Sequence, residues 1–303
     1  MANISAIIPV FNGTTRYLQE AIQSILSQTL DNWELIIVDD GSEDNTLACI
    51  PSHPKIRFYR REENGGQAAA RNDGARLAIG EFLAFLDQDD LWEQTFLEET
   101  LTAFRQYPEA AVIHADGYQV NERNKILEYD MAMKYLNSIT SILRGGHDTG
   151  TSASLIRKTC FESVGGYDET LAIWEDIDLG IRLSQHFKII HLQKPLYRHR
   201  LYSRNVSRYI PSERALQARE TFLKKHTPLC FPGSKAAKSL PYDWAQYHSD
   251  KGKFYLSGGK NREARVAFIQ SLRLCPFSKK TILRLLRSFL PSLTKGGGFA
   301  FKQ

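Results

Sequence analysis

An α/β fold with a mostly parallel sheet flanked by helices is predicted by three observations. Short runs rich in Ile and Val recur along the first part of the chain, as in Ile4–Val10 and residues 34–38. Segments with apolar residues three and four apart separate these runs. The runs are continuously apolar rather than alternating, as expected of strands covered on both faces. The composition, 42% hydrophobic and 24% charged, excludes wholesale disorder, and 303 residues suffice for a substantial core without staples.

The elements follow in order. Ile4–Val10 is the first strand, with Pro9 near its end because proline cannot donate to a ladder. Asn12-Gly13 marks a turn, and Thr14 or Thr15 caps a helix over residues 17–28 whose Leu18, Ile22, Ile25 and Leu26 share one face. Residues 34–38 form the second strand, which ends at Asp39-Asp40-Gly41-Ser42. A short helix over 44–50 and a third strand over 56–59 come next. Gly65-Gly66 opens a helix that runs to Ala78, and a fourth strand over 81–86 ends at Asp87-Gln88-Asp89-Asp90. A helix over 95–107 and a strand over 111–114 complete the pattern.

The character changes after residue 210, which divides the chain into a domain at 1–210 and a helical extension at 211–303. Residues 213–225 read as a helix, and 226–241, with three prolines, as a linker. Helical patterns then cover 244–256, 261–274 and 278–290. The run 263–276 resembles one tetratricopeptide-like hairpin, which cannot bury its apolar face alone. The last helix, KKTILRLLRSFLPSL, is basic and amphipathic. It reads either as a terminal helix docked on its neighbours or as a peripheral membrane contact. The net charge is +5, with the acidic clusters early and Lys and Arg dominant from Lys251 onward. A basic end of this kind suits an anionic membrane surface or a solvated face; nucleic acid is not expected as a partner.

Several classes are excluded. No apolar run approaches the roughly 18 residues of a membrane span. The opening MANISAIIPVFNG has neither a basic n-region nor a small-residue cleavage site, so no secretory leader is expected. Cys49, Cys160, Cys230 and Cys275 lie far apart with no C-x-x-C pair, which argues against a disulfide framework and fits a reducing cytoplasm. Neither G-x-G-x-x-G nor G-x-x-x-x-G-K-[ST] follows the first strand, so a dinucleotide fold and a P-loop lose ground.

What remains distinctive is acid at strand ends. Ligands of open α/β sheets lie outside the carboxyl ends of the strands, so the Asp39-Asp40 and Asp87–Asp90 clusters should meet at one site. In extended backbone Asp87 and Asp89 point the same way. Adjacent carboxylates cannot all ionise cheaply unless a cation joins them, and Mg2+ or Mn2+ suits oxygen ligands. By itself the string is equally an acidic turn capping the next helix, and Asp39-Asp40 carries the same ambiguity.

The motifs taken together resemble glycosyltransferase family 2, inverting enzymes of the GT-A fold that use nucleotide-sugar donors. The resemblance rests on Pro9-Val10-Phe11-Asn12, Ser24–Thr29, Val38-Asp39-Asp40-Gly41-Ser42, Asn64-Gly65-Gly66 and Ala70-Arg71-Asn72. It continues through Gly80-Glu81, Asp87-Gln88-Asp89-Asp90-Leu91-Trp92, Val164–Glu169 and Trp174-Glu175-Asp176, and covers residues 3–208. It implies that Pro9, Val10, Asn12, Asp39 and Asp40 line a nucleotide pocket, with Asp40 favoured for the base. It further implies that Arg71 contacts the nucleotide or forms a structural ion pair, and that Asp87 lies on the ribose side. Asp89, with Asp90 as second ligand or orienting group, would hold Mn2+ or Mg2+. Asp176 would be the catalytic base, with Trp174 and Glu175 shaping the acceptor pocket, and Thr149–Ser152 would face the donor sugar. The implied partners are a nucleotide-sugar donor and a glycan or lipid-linked acceptor, as in cell-surface polysaccharide synthesis.

One departure stands out. Members of the family carry a histidine in a string like Y-R-x-R-x-H-x-x-S-x-S; here the register holds Tyr202, with His199 three residues earlier. A phenol ligates metal poorly at neutral pH. Either His199 substitutes, or Arg200 or Arg204 holds the diphosphate. Two other classes stay open: a nucleotidyltransferase, disfavoured by the missing glycine-rich phosphate loop, and a non-catalytic nucleotide-sugar-binding scaffold. Of the remaining histidines, His147 is the nearest candidate, because it precedes Asp148-Thr149-Gly150.

Overall fold

The computed structural model describes residues 3–130, 151–202, 212–227 and 235–289, with the side chains of 130 and 235–240 left aside. Thr149, Gly150, His147 and Arg204 therefore lie outside the described residues, as does Cys230. The chain divides into two compact units, Met1–Arg208 and Tyr209–Gln303.

The first unit is built on a sheet of nine strands. In chain order they are β1 (Ile4–Val10), β2 (Trp33–Asp39), β3 (Ile56–Arg60), β4 (Phe82–Phe85), β5 (Leu91–Trp92), β6 (Ala110–Val120), β7 (Ile126–Asp130), β8 (Ser154–Arg157) and β9 (Lys188–Arg200). The spatial order is β3-β2-β1-β4-β8-β6-β9-β5, with β7 alongside β6. The expected parallel arrangement holds across β3-β2-β1-β4. Beyond β4 the sheet is mixed, because β8 runs antiparallel to both β4 and β6 while β9 runs parallel to β6. Connections without a helical crossover permit antiparallel neighbours.

Among the described residues five helices accompany the sheet: α1 (Thr15–Leu26), α2 (Gln67–Leu77), α3 (Phe96–Gln106), α4 (Lys158–Ser163) and α5 (Glu175–His186). Residues of β1 alternate between two cores. Ile4, Ala6 and Ile8 face Leu18, Ile22 and Ile25 of α1. Ile7 packs on the other side with Ala70 and Ala75 of α2, Phe85 and Leu179. This two-sided burial explains why β1 and β2 are apolar apart from Asp39 and the hydrogen-bonded pair Ser5 and Glu34. The helix expected over 44–50 is a 3-10 turn at Thr46–Cys49.

The second unit comprises α6 (Glu213–His226), α7 (Lys235–Ser257), α8 (Asn261–Leu274) and α9 (Lys279–Arg287). The linker expected through residue 241 is a correction: α7 begins at Lys235 and carries Pro241 inside it. Proline there forfeits one helical hydrogen bond, but the helix continues with Ala245 and Tyr247 buried beyond it. Gly252 lets α8 approach, since a Cβ there would fall 2.5 Å from the Phe268 ring. Among the described residues no helix is long and apolar enough to cross a membrane.

Candidate active site

The site begins where β1 and β2 end. Asn12 donates its N–H to Ser42 Oγ at 3.1 Å and accepts from Glu43 N at 2.9 Å, so the loops after the two strands are stitched together. Gln88, the middle residue of the D-x-D string, exchanges hydrogen bonds with the backbone of Phe11, at 3.3 and 3.2 Å. The strand-end loops of β1, β2 and β4 thereby form one rim, as the sheet geometry requires. Pro9 and Val10 are buried beneath it, while Phe11 and Asn12 are exposed.

The two acids after β2 have different duties. Asp40 accepts from Gly65 N at 2.9 Å and Gly66 N at 2.7 Å and pairs with Arg61. Gly66 turns its N–H toward that carboxylate at φ +89°, a conformation that costs glycine little. Asp39 is fully buried; its Oδ1 accepts from Ser42 N at 2.9 Å. Asp39 Oδ2 has no hydrogen bond among the described residues, and Arg60 Nε lies 3.4 Å away. The sequence favours Asp40 for a base contact, yet Asp39 is the residue that keeps an acceptor in reserve.

Helix α2 gathers the rest. Arg71, 2% exposed, donates to Asp87 Oδ1 at 2.6 Å and to Glu175 Oε1 at 2.7 Å, and its guanidinium lies 5.3 Å from the centre of the Tyr167 ring. One side chain thus joins the D-x-D string to the start of α5, which lies 104 residues beyond Arg71 in sequence. Burial pushes Glu175 above the usual carboxylate range, Arg71 draws it back, and Asp176 pushes it up again. The adjacent Asn72 holds the loop after α4: its Nδ2 donates to Tyr167 O at 2.9 Å and Glu169 Oε1 at 2.8 Å, and its Oδ1 accepts from Tyr167 N at 2.9 Å. Trp174, just before α5, adopts a left-handed backbone at φ +66°. That conformation is costly for a bulky residue and such residues cluster at functional sites.

The D-x-D string splits into three environments. Asp87 faces Arg71. Asp90 is 5% exposed and accepts from Arg200 N at 3.0 Å and Ser152 Oγ at 2.8 Å. Burial pushes Asp90 up to about 7, with His199 drawing it down and Asp89 and Asp87 pushing it up. Asp89 is half-buried and hydrogen-bonds Tyr202; burial and the charge of Asp87 raise it above the ordinary carboxylate value. Tyr202 lies edge-on to Tyr17, with ring centres 5.2 Å apart. The phenol in the histidine register therefore reaches the expected metal carboxylate as a hydrogen-bond donor. His199 acts electrostatically on both Asp89 and Asp90. Ser152, the end of the expected sugar-facing segment, also accepts from Asp87 N at 3.1 Å.

Asp176 stands in the first turn of α5, where the helix dipole favours a carboxylate. Its Oδ1 accepts from Ile177 N at 2.7 Å. It lines a cavity of about 30 Å³, room for one water, with His114, Thr151 and Tyr167. His114 is fully buried and bonds Ser154 Oγ through Nδ1 at 2.7 Å, while its Nε2 has no hydrogen bond among the described residues. Burial, then the charge of His191, pushes its pKa down to about 3. Sequence reasoning missed Asn72, Gln88 and His114 as parts of the site, and expected Ser152 beside the donor sugar rather than on Asp87 and Asp90. Their string membership was the available signal for the first two; nothing in the local sequence marked His114.

An α/β sheet with acidic strand-end loops, a D-x-D string and a carboxylate-bearing helix start, joined through one arginine, defines a sugar-transfer class of architecture. The Glycosyl transferase family 2 model matches residues 5–165, more than half the chain, and the chain belongs to that family. A Rickettsia felis glycosyltransferase is 31% identical over 217 residues, covering 68% of this chain and 35% of that protein. The chondroitin synthase of Escherichia coli is 26% identical over 210 residues, covering 67% and 30%. The chain spans only 21–35% of the length of three Rickettsia relatives that it matches. S. aureus TarS 1-349 in complex with UDP-GlcNAc shares the fold, with a TM-score of 0.64 at 19% identity, covering 95% of this chain and 89% of that one.

Proposed function

We propose that the chain moves a sugar, a hexosyl or N-acetylhexosaminyl group, from a UDP-sugar to a hydroxyl of a glycan or lipid-linked acceptor, with inversion and with Mn2+ or Mg2+. The observation that carries this reading is the Arg71 bridge, which sets Asp87 and Glu175 on one buried guanidinium. A donor-side carboxylate and an acceptor-side carboxylate thereby share one site. The UDP-GlcNAc bound by TarS and the polysaccharide named in the chondroitin synthase support the donor and acceptor classes.

In this reading Asp39 Oδ2 receives a base N–H, Asp40 holds the pocket floor, and the rim of Pro9, Val10 and Asn12 contacts the nucleotide. Asp176 accepts the proton of the acceptor hydroxyl as that oxygen attacks the anomeric carbon opposite the phosphate. The sugar–phosphate bond breaks in the same displacement and its electron pair leaves with the nucleoside diphosphate, so configuration inverts once. Trp174 and Glu175 bound the acceptor, and Arg71 fixes Glu175. Among the described residues no group of three His, Cys, Asp or Glu side chains would hold a metal unaided. That fits a cation taken by Asp89 together with donor phosphates, since Mg2+ is typically held by one or two carboxylates plus substrate oxygens. Bound there, it would offset the charge that gathers on the departing diphosphate. Asp90 then orients the string rather than ligating, with both oxygens engaged by Arg200 and Ser152. A cytoplasmic reaction belongs to the same reading.

The test is turnover with a panel of UDP-, dTDP- and GDP-sugars and Mn2+, following nucleoside diphosphate release and transfer. Asp176→Asn should lower kcat by about 10²–10⁴, while UDP with Mn2+ still raises its melting temperature. Unchanged turnover in that variant, undiminished turnover after EDTA treatment, or release of pyrophosphate would each overturn the proposal.

A further inference from the structure

Helix α9 is packed the unexpected way round. Its buried contacts are polar: Thr281, 2% exposed, meets Ser249 Oγ at 3.1 Å, and Arg284 donates to the same oxygen at 3.0 Å. Its apolar residues face outward instead, with Ile282 38%, Leu283 66% and Leu286 59% exposed, and Phe289, two residues beyond its end, 61% exposed. Water contact for so many large apolar side chains on one short helix is unfavourable, and a contiguous patch of this kind marks an interaction surface.

The patch extends beyond α9. Phe277, just before it, is 92% exposed, and Arg265 of α8 lies 4.7 Å from the Phe289 ring centre, next to the exposed Val266 and Ile269. Charge surrounds it with one sign. Residues 261–289 contain seven Lys and Arg and one acid, Glu263. Lys279, Lys280 and Arg287 are exposed at the margin of the apolar stripe. The chain that follows, residues 290–303, adds Lys295 and Lys302 and no acid, so it offers no charge complement to this face.

An outward apolar stripe bordered by cations complements an anionic bilayer, where the stripe enters the acyl boundary and the cations meet phosphate headgroups. We propose that the face formed by α9 and the adjoining part of α8 binds anionic phospholipid membranes. A second copy of the chain would bring like charges together, and a neutral apolar partner would leave the cations without a role. This inference does not rest on the sugar-transfer reading, because lipid binding is measured with no donor or acceptor present.

The experiment is co-sedimentation of the full chain with vesicles of phosphatidylcholine alone or with 30% phosphatidylglycerol. Binding to the phosphatidylglycerol vesicles alone is expected, declining as salt rises. Lys279→Gln with Lys280→Gln should weaken it about 25-fold, from about five-fold per cation near the surface. Leu283→Ser with Leu286→Ser should weaken it at least ten-fold, and circular dichroism of each variant should match the parent. No binding to phosphatidylglycerol vesicles would overturn the proposal, as would equal binding to both vesicle types. So would a dimer in lipid-free solution that the Leu283→Ser/Leu286→Ser variant abolishes, which would assign the face to a second copy.

Discussion

Replacing Arg71 by Met removes the cation from between two carboxylates while keeping the bulk of the side chain. Breaking a buried ion pair by deleting one partner costs about 3–5 kcal/mol, because a charge is left desolvated. Here the two partners differ. Asp87 has 31% of its side chain exposed and can turn to water, whereas Glu175 has only 8%. The cost therefore falls mainly on Glu175, and a loss of about 3 kcal/mol is expected at pH 8. Burial already raises the Glu175 pKa, and Arg71 opposes that rise. Without Arg71 its folded value climbs further above the unfolded value, so the folded state binds the extra proton and gains stability as pH falls. The deficit of Arg71→Met should thus shrink between pH 8 and pH 5. Arg71→Met/Glu175→Gln, which cannot carry the stranded charge, should recover about 2 kcal/mol of the loss. Urea denaturation followed by tryptophan fluorescence measures all three quantities, since Trp33, Trp92 and Trp174 lie in the same unit as the bridge. A deficit below about 1 kcal/mol at pH 8, or one of equal size at pH 5, would refute the reasoning.

Three other outcomes are expected. Tyr202→Phe removes the hydrogen bond that fixes Asp89 and should weaken Mn2+ binding in the presence of UDP about ten-fold, read from the electron paramagnetic resonance of free Mn2+; an unchanged affinity would remove Tyr202 from the site's machinery. His114 has its folded pKa depressed to about 3 from 6.5, so its contribution to stability is complete above pH 6.5 and is lost as pH falls toward 3. Stability differences between the parent and His114→Gln should therefore narrow by up to about 1.4 kcal/mol per pH unit across that window, and parallel denaturation curves would contradict it. Gly66→Ala forces a Cβ into φ +89° and should destabilise by more than about 1 kcal/mol in the same denaturation assay; a neutral result would mean the loop beside Asp40 readjusts freely.

Three of the four parallel strands were legible because burial on two faces leaves a local mark: Ile4–Val10, Trp33–Asp39 and Phe82–Phe85 are apolar almost throughout, whereas β3 is largely exposed. β9 escaped notice for the opposite reason. It pairs with β6 through shifted register at Asp116 and Pro195, and its residues include His191, Lys194, Arg198 and His199, which suggest a loop. The acids of the site were equally plain, since each closes an apolar run. Their partners were not. Arg71 and Glu175 stand 104 positions apart, and nothing in either neighbourhood says they touch. Asp40 showed the same limit, because its demand on Gly65 and Gly66 arises only when the two loops fold together.

The division of labour within Asp87-Gln88-Asp89-Asp90 follows from what each carboxylate meets. Three like charges within four residues repel, and burial adds to the cost of each. Asp87 offsets that cost with a guanidinium, which ties it to Glu175 at the start of α5. Asp90 offsets it with a backbone N–H and a hydroxyl and is the most strongly raised of the string. Asp89 remains half-buried, and its hydrogen-bonded partner among the described residues is a neutral phenol. A phenol satisfies one oxygen lone pair without supplying positive charge. The string therefore presents Asp89, hydrogen-bonded by the phenol and drawn on by His199, beside two carboxylates whose positions are fixed by Arg71, by Ser152 and by the Arg200 backbone. Selective affinity for a divalent cation accompanied by phosphate oxygens is the chemistry that such an arrangement favours. Tyr202 in the histidine register is compatible with the proposed cation site, because its phenol meets Asp89, the carboxylate proposed as the ligand.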